Sequence, residues 1–123
     1  MEFKEGKSIF LQIADYICEN LLKGIWKEED RIPSIREMAM DTEVNPNTVM
    51  RSYNDLQEKG IIYNQRGIGY FIAVGAADMT QKMMKENFIK KEVPSFFRRL
   101  TILGLTFDDL KTIYESGKAE ERS

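Results

Sequence analysis

The 123-residue sequence contains no histidine and a single cysteine. Lack of histidine removes the commonest general base and the imidazole metal ligand. One thiol, Cys18, can neither close an internal disulfide nor build a thiolate metal cluster. Lying within an apolar helix pattern, Cys18 reads as a small core hydrophobe. Long hydrophobic runs are missing too. No window approaches the roughly 18 apolar residues of a membrane span, and the opening MEFKEGKSIF has no continuous apolar core, so the chain is expected in the cytoplasm. Nor does one sign of charge dominate. A net charge of −2 and a pI of about 5.3 argue against a protein that coats nucleic acid without regard to sequence. What is present, 42% hydrophobic and 31% charged residues, describes an ordinary globular chain with room for one compact domain or a small domain plus an appendage.

Catalysis has little to stand on. The tight carboxylate groups are Glu28-Glu29-Asp30 and Asp108-Asp109, and a solvated loop and a helix cap explain them without chemistry. Gly67 and Gly69 resemble half of a phosphate-binding fingerprint, but they stand in a hairpin pattern instead of between a strand and a helix. The sequence therefore implies no catalytic residue, no metal and no cofactor.

The periodicity is more informative. In SIFLQIADYICENLLKG, Phe10, Ile13, Ile17 and Leu21 recur three or four apart before a Gly24 stop, predicting a helix with one buried face. Arg31-Ile32 can form an edge strand, and Ser34 after Pro33 is a good N-cap. A short helix SIREMAMDTE, with Ile35, Met38 and Ala39 inward, leads through a tight turn to a third from about Asn47 to Lys59, striped by Val49, Tyr53 and Leu56. That is a helix-turn-helix pattern. Gly60 ends it, and the β-branched and aromatic runs Ile61 to Tyr63 and Ile68 to Ile72 flank Asn64-Gln65-Arg66-Gly67 as a hairpin. The predicted fold is thus α+β and mainly α: a winged helix-turn-helix over 1–75, then a short all-helical dimerisation region over 76–123.

In that second region helical segments succeed one another from Met79, with Pro94 expected to break or kink the chain and Ser95 to cap the next helix. Thr106 and Asp109 form a variant capping box for a last helix, and the tail 117–123 is expected to fray. The apolar positions Met83, Phe88, Phe96, Phe97, Leu100 and Leu103 cannot build a core alone, so they either pack on the first domain or pair with a second chain, and they are assigned to a homodimer interface. A small-molecule effector between these helices, near Phe96, Phe97 and Tyr114, is left open, with dimer core as the plainer use of those aromatics.

A groove-docked helix brings its first turn to base edges, which nominates Asn45, Asn47 and Thr48, with Arg51 one turn on. Asn pairs with adenine through acceptor and donor, Arg with guanine or phosphate, and Thr with phosphate or a thymine methyl. Ser34 and Arg36 at the preceding helix start can clamp the DNA backbone. Gln65, Arg66 and Gly67 at the wing tip can reach an adjacent minor groove. The plainer alternative makes Asn45 and Asn47 simple caps, Pro46 an N1 residue and the arginines a solvated face. Residues 1–75 hold nine bases against twelve acids, which supports a second alternative, a winged-helix protein-binding module with no DNA target.

Residues 33–72, PSIREMAMDTEVNPNTVMRSYNDLQEKGIIYNQRGIGYFI, resemble the DNA-binding domain of GntR-type bacterial transcriptional regulators, and FLQIADYICENLLKGIW resembles the family's opening helix. The resemblance rests jointly on Pro-Ser-x-Arg at 33–36, Thr48-Val49, Leu-x-x-x-Gly at 56–60 and Arg-Gly-x-Gly at 66–69. The Asn-Pro-Asn-Thr helix start and short helical tail are similar to the YtrA-like branch, which implies a homodimer held by the tail and, by analogy, a repressor of a transporter operon reading an inverted repeat in double-stranded DNA. The family further implies Arg36, Asn45, Asn47, Thr48 and Arg51 at the DNA surface and Gly67 at the wing tip. Two departures stand out. Glu29 occupies a turn where the family has glycine, and Pro46-Asn47 replaces the arginine of many relatives, so their base preference does not carry over.

Overall fold

The computed structural model describes the backbone of residues 1–122 and the side chains of 1–117. Two compact units divide at Met83/Met84. The first contains helices α1 (Ile9–Leu22), α2 (Ile35–Thr42) and α3 (Pro46–Glu58), and strands β1 (Arg31–Ile32), β2 (Ile62–Gln65) and β3 (Gly69–Ile72). Helix α4 (Ala76–Asn87) begins in this unit. The strands form one antiparallel sheet in the order β1-β3-β2, so the two-residue β1 is an edge strand laid against the wing hairpin.

The apolar spacing read from the sequence closes into a core. Ile13, Ile17 and Leu21 of α1 meet Val49, Tyr53 and Leu56 of α3, with Met38 and Ala39 of α2, Ile61 just before β2, and Ile32, Ile62 and Ile72 from the strands, all buried. Each such aliphatic side chain contributes about 1.5–3 kcal/mol relative to exposure. Phe10 and Ile35, expected inward, are half-buried at the margin. Cys18 is buried as expected, and burial, reinforced by Asp15, pushes its thiol up to about 12. Two polar groups at this core are paired, as Ser52 donates to the Phe10 carbonyl at 2.5 Å and Gln12 holds the N-terminal segment through Lys4 and Lys7, whereas the buried Thr80 hydroxyl has no hydrogen-bond partner among the described residues.

Helix α4 starts at Ala76, three residues before the expected Met79, because Ala76 and Thr80 are wholly buried in the first unit. The polar appearance of 75–78 conceals this tertiary use. The Gly75 N–H, just before the helix, donates to Glu28 Oε1 at 2.8 Å, which ties the 27–30 turn to the end of the hairpin. That turn is strained at one residue. Glu29 sits at φ 69, in the left-handed region that a glycine would occupy without cost.

The second unit holds a π-helical segment (Phe88–Glu92), α5 (Val93–Ile102) and α6 (Phe107–Arg122). Pro94 does not break the chain. It has no N–H for the Lys90 carbonyl, and the preceding turn widens to π winding, with the Val93 N–H bonded to the Phe88 carbonyl, so helix runs directly into α5. Ser95 consequently lies inside the first turn of α5 and caps nothing. Thr106 and Asp109 do form the reciprocal cap of α6, at 2.9 and 3.2 Å, and these bonds hold the Asp109 carboxyl below its usual range. Helix α6 continues to Arg122 through Lys118-Ala119-Glu120-Glu121, strong helix formers, where the sequence predicts fraying; Ser123 lies outside the described residues. Among the described residues no helix is long and apolar enough to cross a membrane.

No described side chain of 84–117 is buried. Phe88, Phe96, Phe97 and Leu103 are exposed and Leu100 is half-buried, while Met83 falls at the end of the first unit. An open apolar hollow on α6 is lined by Phe107, Leu110, Ile113 and Tyr114. Phe96 and Phe97 are not among its walls.

Candidate nucleic-acid interface

Three local starts carry the nominated residues: the N-termini of α2 and α3 and the turn of the hairpin. At α2, Ser34 Oγ accepts from the Glu37 N–H at 3.1 Å while Glu37 Oε1 accepts from the Ser34 N–H, a complete capping box. The hydroxyl is thereby committed to the helix. Arg36 stands exposed one residue into the first turn, and among the described residues it joins no ion pair. The α2–α3 turn uses Glu43 at φ 56, whose αL conformation ends α2 and lets α3 begin at Pro46.

At α3 the two asparagines divide their work. Asn45 Oδ1 accepts from the Asn47 N–H at 2.8 Å and caps the helix, with Pro46 pre-setting its first turn. Asn47 caps nothing and is exposed, so its amide is held in no hydrogen bond among the described residues. Thr48 beside it is half-buried. The reading of both asparagines as caps therefore applies to Asn45 alone. Arg51 takes another direction: its guanidinium lies 4.0 Å from the centroid of the Phe10 ring, on the α1 side. The first turn of α3 and Arg51 are brought to different neighbours.

Tyr53 links the parts. Its buried phenol donates to the Pro33 carbonyl at 2.6 Å, pinning the approach to α2 onto α3. The same ring meets Tyr70 of β3 edge-on at 4.9 Å, pinning the wing. Burial, and then the facing Tyr70, hold this phenol above its ordinary value. One side chain thus fixes three elements that bear nominated residues.

At the wing, β2 extends through Gln65, which pairs with Gly69, so the turn proper is Arg66-Gly67-Ile68, shorter than the sequence suggests. Gln65, Arg66 and Gly67 are all exposed, and Gly67 holds φ 80, which the turn requires of a residue without Cβ. Gly69 is restricted twice. Its φ is 149, and a Cβ there would stand 2.8 Å from Arg31 Nε. Sequence patterning gives Arg31 only an edge-strand role; the second glycine of the wing, at the start of β3, was the signal for a long side chain crossing it. Among the described residues no cluster of three or more His, Cys, Asp or Glu is placed to hold a metal.

This arrangement has counterparts. The profile of the bacterial regulatory proteins, gntR family, matches residues 10–72. The HTH-type transcriptional regulator YhcF of Bacillus subtilis is 37% identical over 120 residues, covering 94% of this chain and 98% of that one. The HTH-type transcriptional repressor YtrA of the same organism is 44% identical over 73 residues, 59% of this chain and 56% of its own length. A solved GntR-family regulator from Bacteroides thetaiotaomicron superposes with a TM-score of 0.73 at 47% identity, covering 93% of this chain and 99% of that chain. These counterparts are transcriptional regulators and not enzymes. With this winged helix, these capped helix starts and these relatives, the chain belongs to the GntR family of DNA-binding transcriptional regulators.

Proposed function

We propose that the chain is a cytoplasmic, homodimeric repressor that reads an inverted-repeat operator, with Asn47 and Thr48 at base edges and Ser34, Arg36, Gln65, Arg66 and Gly67 on the sugar-phosphate backbone and minor groove. The observation that carries this reading is the division of labour at α3: Asn45 satisfies the helix end, leaving the exposed Asn47 amide free to pair with a base. Asn45 then contributes through its remaining amide donors. Arg51 contributes a guanidinium edge while its face rests on Phe10, a use that cation–π stacking permits. Homodimerisation is supported by a second unit in which no described side chain is buried and Phe96, Phe97 and Leu103 lie open. Two-fold symmetry of the protein then dictates a palindromic site. Repression, and control of a transporter operon, rest on the analogy with YtrA, which is named a repressor.

Selection of bound sequences from a random duplex pool with the full-length chain tests the reading. One enriched inverted repeat is expected. Arg36→Ala and Asn47→Ala should then abolish specific binding with dimer and helix content intact. Recovery of no motif by a folded, dimeric chain would refute the proposed operator reading.

A further inference from the structure

The outer face of the wing sheet carries a cation that none of these roles uses. Strand register places Arg31 opposite Phe71, and Phe71 opposite Tyr63, so these three share a face; two residues along, Gln65 pairs with Gly69 on the same side. Ile32, Tyr70 and Asn64 alternate to the other face, where Ile32 is buried and Tyr70 meets Tyr53. Arg31 therefore cannot turn inward. Its side chain runs along the strand toward the wing tip and lies over Gly69, where a Cβ would stand 2.8 Å from Nε and 3.4 Å from Cζ and Nη2. Any larger residue at 69 would displace the guanidinium.

Three acids immediately precede Arg31, yet none pairs with it. Glu28 Oε1 accepts from the Gly75 N–H, Asp30 Oδ2 accepts from the Lys27 N–H at 2.9 Å, and the left-handed turn at Glu29 separates the two. The acidic turn is committed to backbone donors. Among the described residues Arg31 is in no ion pair, and it is exposed. Three residues on stands Ser34, the N-cap of α2, while the paired strand leads to Arg66 and Gly67. An exposed guanidinium with no ion-pair partner among the described residues thus stands between the start of α2 and the wing tip.

We propose that Arg31, held over Gly69, is a positioning residue that grips a DNA phosphate between the contacts of α2 and those of the wing. The proposal rests on the assignment of α2 and the wing to DNA under the proposed function. A guanidinium suits a phosphate because its fork of donors matches the anion's oxygens, and Gly69, having no Cβ, leaves the room in which that fork lies over the strand. A phosphate contact carries no base information, so its loss weakens all duplexes alike.

Fluorescence anisotropy of the full-length chain on its selected operator and on a scrambled duplex, between about 50 and 200 mM KCl, is the test. Each phosphate neutralised contributes about 0.9 to the slope of log affinity against log salt. Arg31→Ala should lower that slope by about 0.9 per chain and weaken both duplexes about fivefold per chain at about 150 mM salt. Arg31→Lys should restore the slope, because the charge returns. Unchanged slope and affinity in Arg31→Ala would overturn the proposal, and so would weaker binding with an unchanged slope, which a purely structural effect on the wing produces. Wild-type chain that prefers no duplex would instead overturn the assignment of α2 and the wing to DNA, and this proposal with it.

Discussion

Removing one oxygen from Tyr53 should loosen the DNA-reading head without emptying its core. Tyr53→Phe keeps the ring against Tyr70 and deletes only the hydroxyl that donates to the Pro33 carbonyl at 2.6 Å. A neutral hydrogen bond contributes about 0.5–1.5 kcal/mol net, and leaving the half-buried Pro33 carbonyl without its donor adds to the loss, so a destabilisation of about 1–2 kcal/mol is expected. In a unit of this size that lowers the thermal midpoint by about 4–8 °C for each kcal/mol. Urea unfolding followed by far-UV circular dichroism measures it, with an unchanged m-value showing that the comparison is fair. Operator affinity, measured cold where both proteins are folded, should fall no more than about fivefold, since a bond of about 1 kcal/mol cannot couple more than it holds. A stability loss below about 0.5 kcal/mol would refute the assignment of Tyr53 as the link between α2 and α3.

The same structure fixes outcomes at four further places. Glu29→Gly should raise stability by about 0.5–1 kcal/mol by relieving the φ of 69, and a lower urea midpoint would show that the turn is not strained. Ser34→Ala should cost about 1 kcal/mol through loss of the capping box, read from the same urea curves. Cys18, with its thiol pushed up to about 12 from 9.0, should react with iodoacetamide near neutral pH about a thousandfold more slowly than in the urea-unfolded chain. Because its folded value is the higher one, the stability this thiol lends is complete below about pH 9 and declines as pH climbs toward 12; a difference in unfolding midpoint between wild type and Cys18→Ala that stays constant across that range would contradict this. Phe96→Glu with Leu103→Glu should convert the proposed dimer to monomer in sedimentation with the winged-helix signal intact, as both side chains are exposed in the single chain.

What the sequence made legible was local chemistry. Ser34 after Pro33, Asn45 with Pro46, and Thr106 with Asp109 announce helix starts within four residues, and the structure uses all three. The apolar spacing of α1 and α3 likewise predicts which face is buried, since a helix has only one way to present a three-or-four repeat. Contacts between distant residues were not readable. Arg51 rests on Phe10, Tyr53 bonds Pro33 and Arg31 covers Gly69, and none of these pairs leaves a mark in a sequence window. Ala76 failed for the same reason: a small residue after Gly75 looks like a linker, and only the partners across the core make it and Thr80 interior. Ser95 misled because a proline followed by serine also fits a helix already under way.

The wide turn at Phe88–Glu92 has a genetic consequence. Such a segment holds one residue more than α winding needs, and each residue accounts for about 100° around a helix axis. Deleting a single codon there would return the chain to regular winding and leave the side chains of α5 on nearly the same faces relative to residues 84–87, because the wide turn already absorbs the rotation of its extra residue. Phe96 and Leu100 would keep their directions. A lineage could thus gain or lose a residue at this point, in one mutational step, without re-aiming the helix that follows.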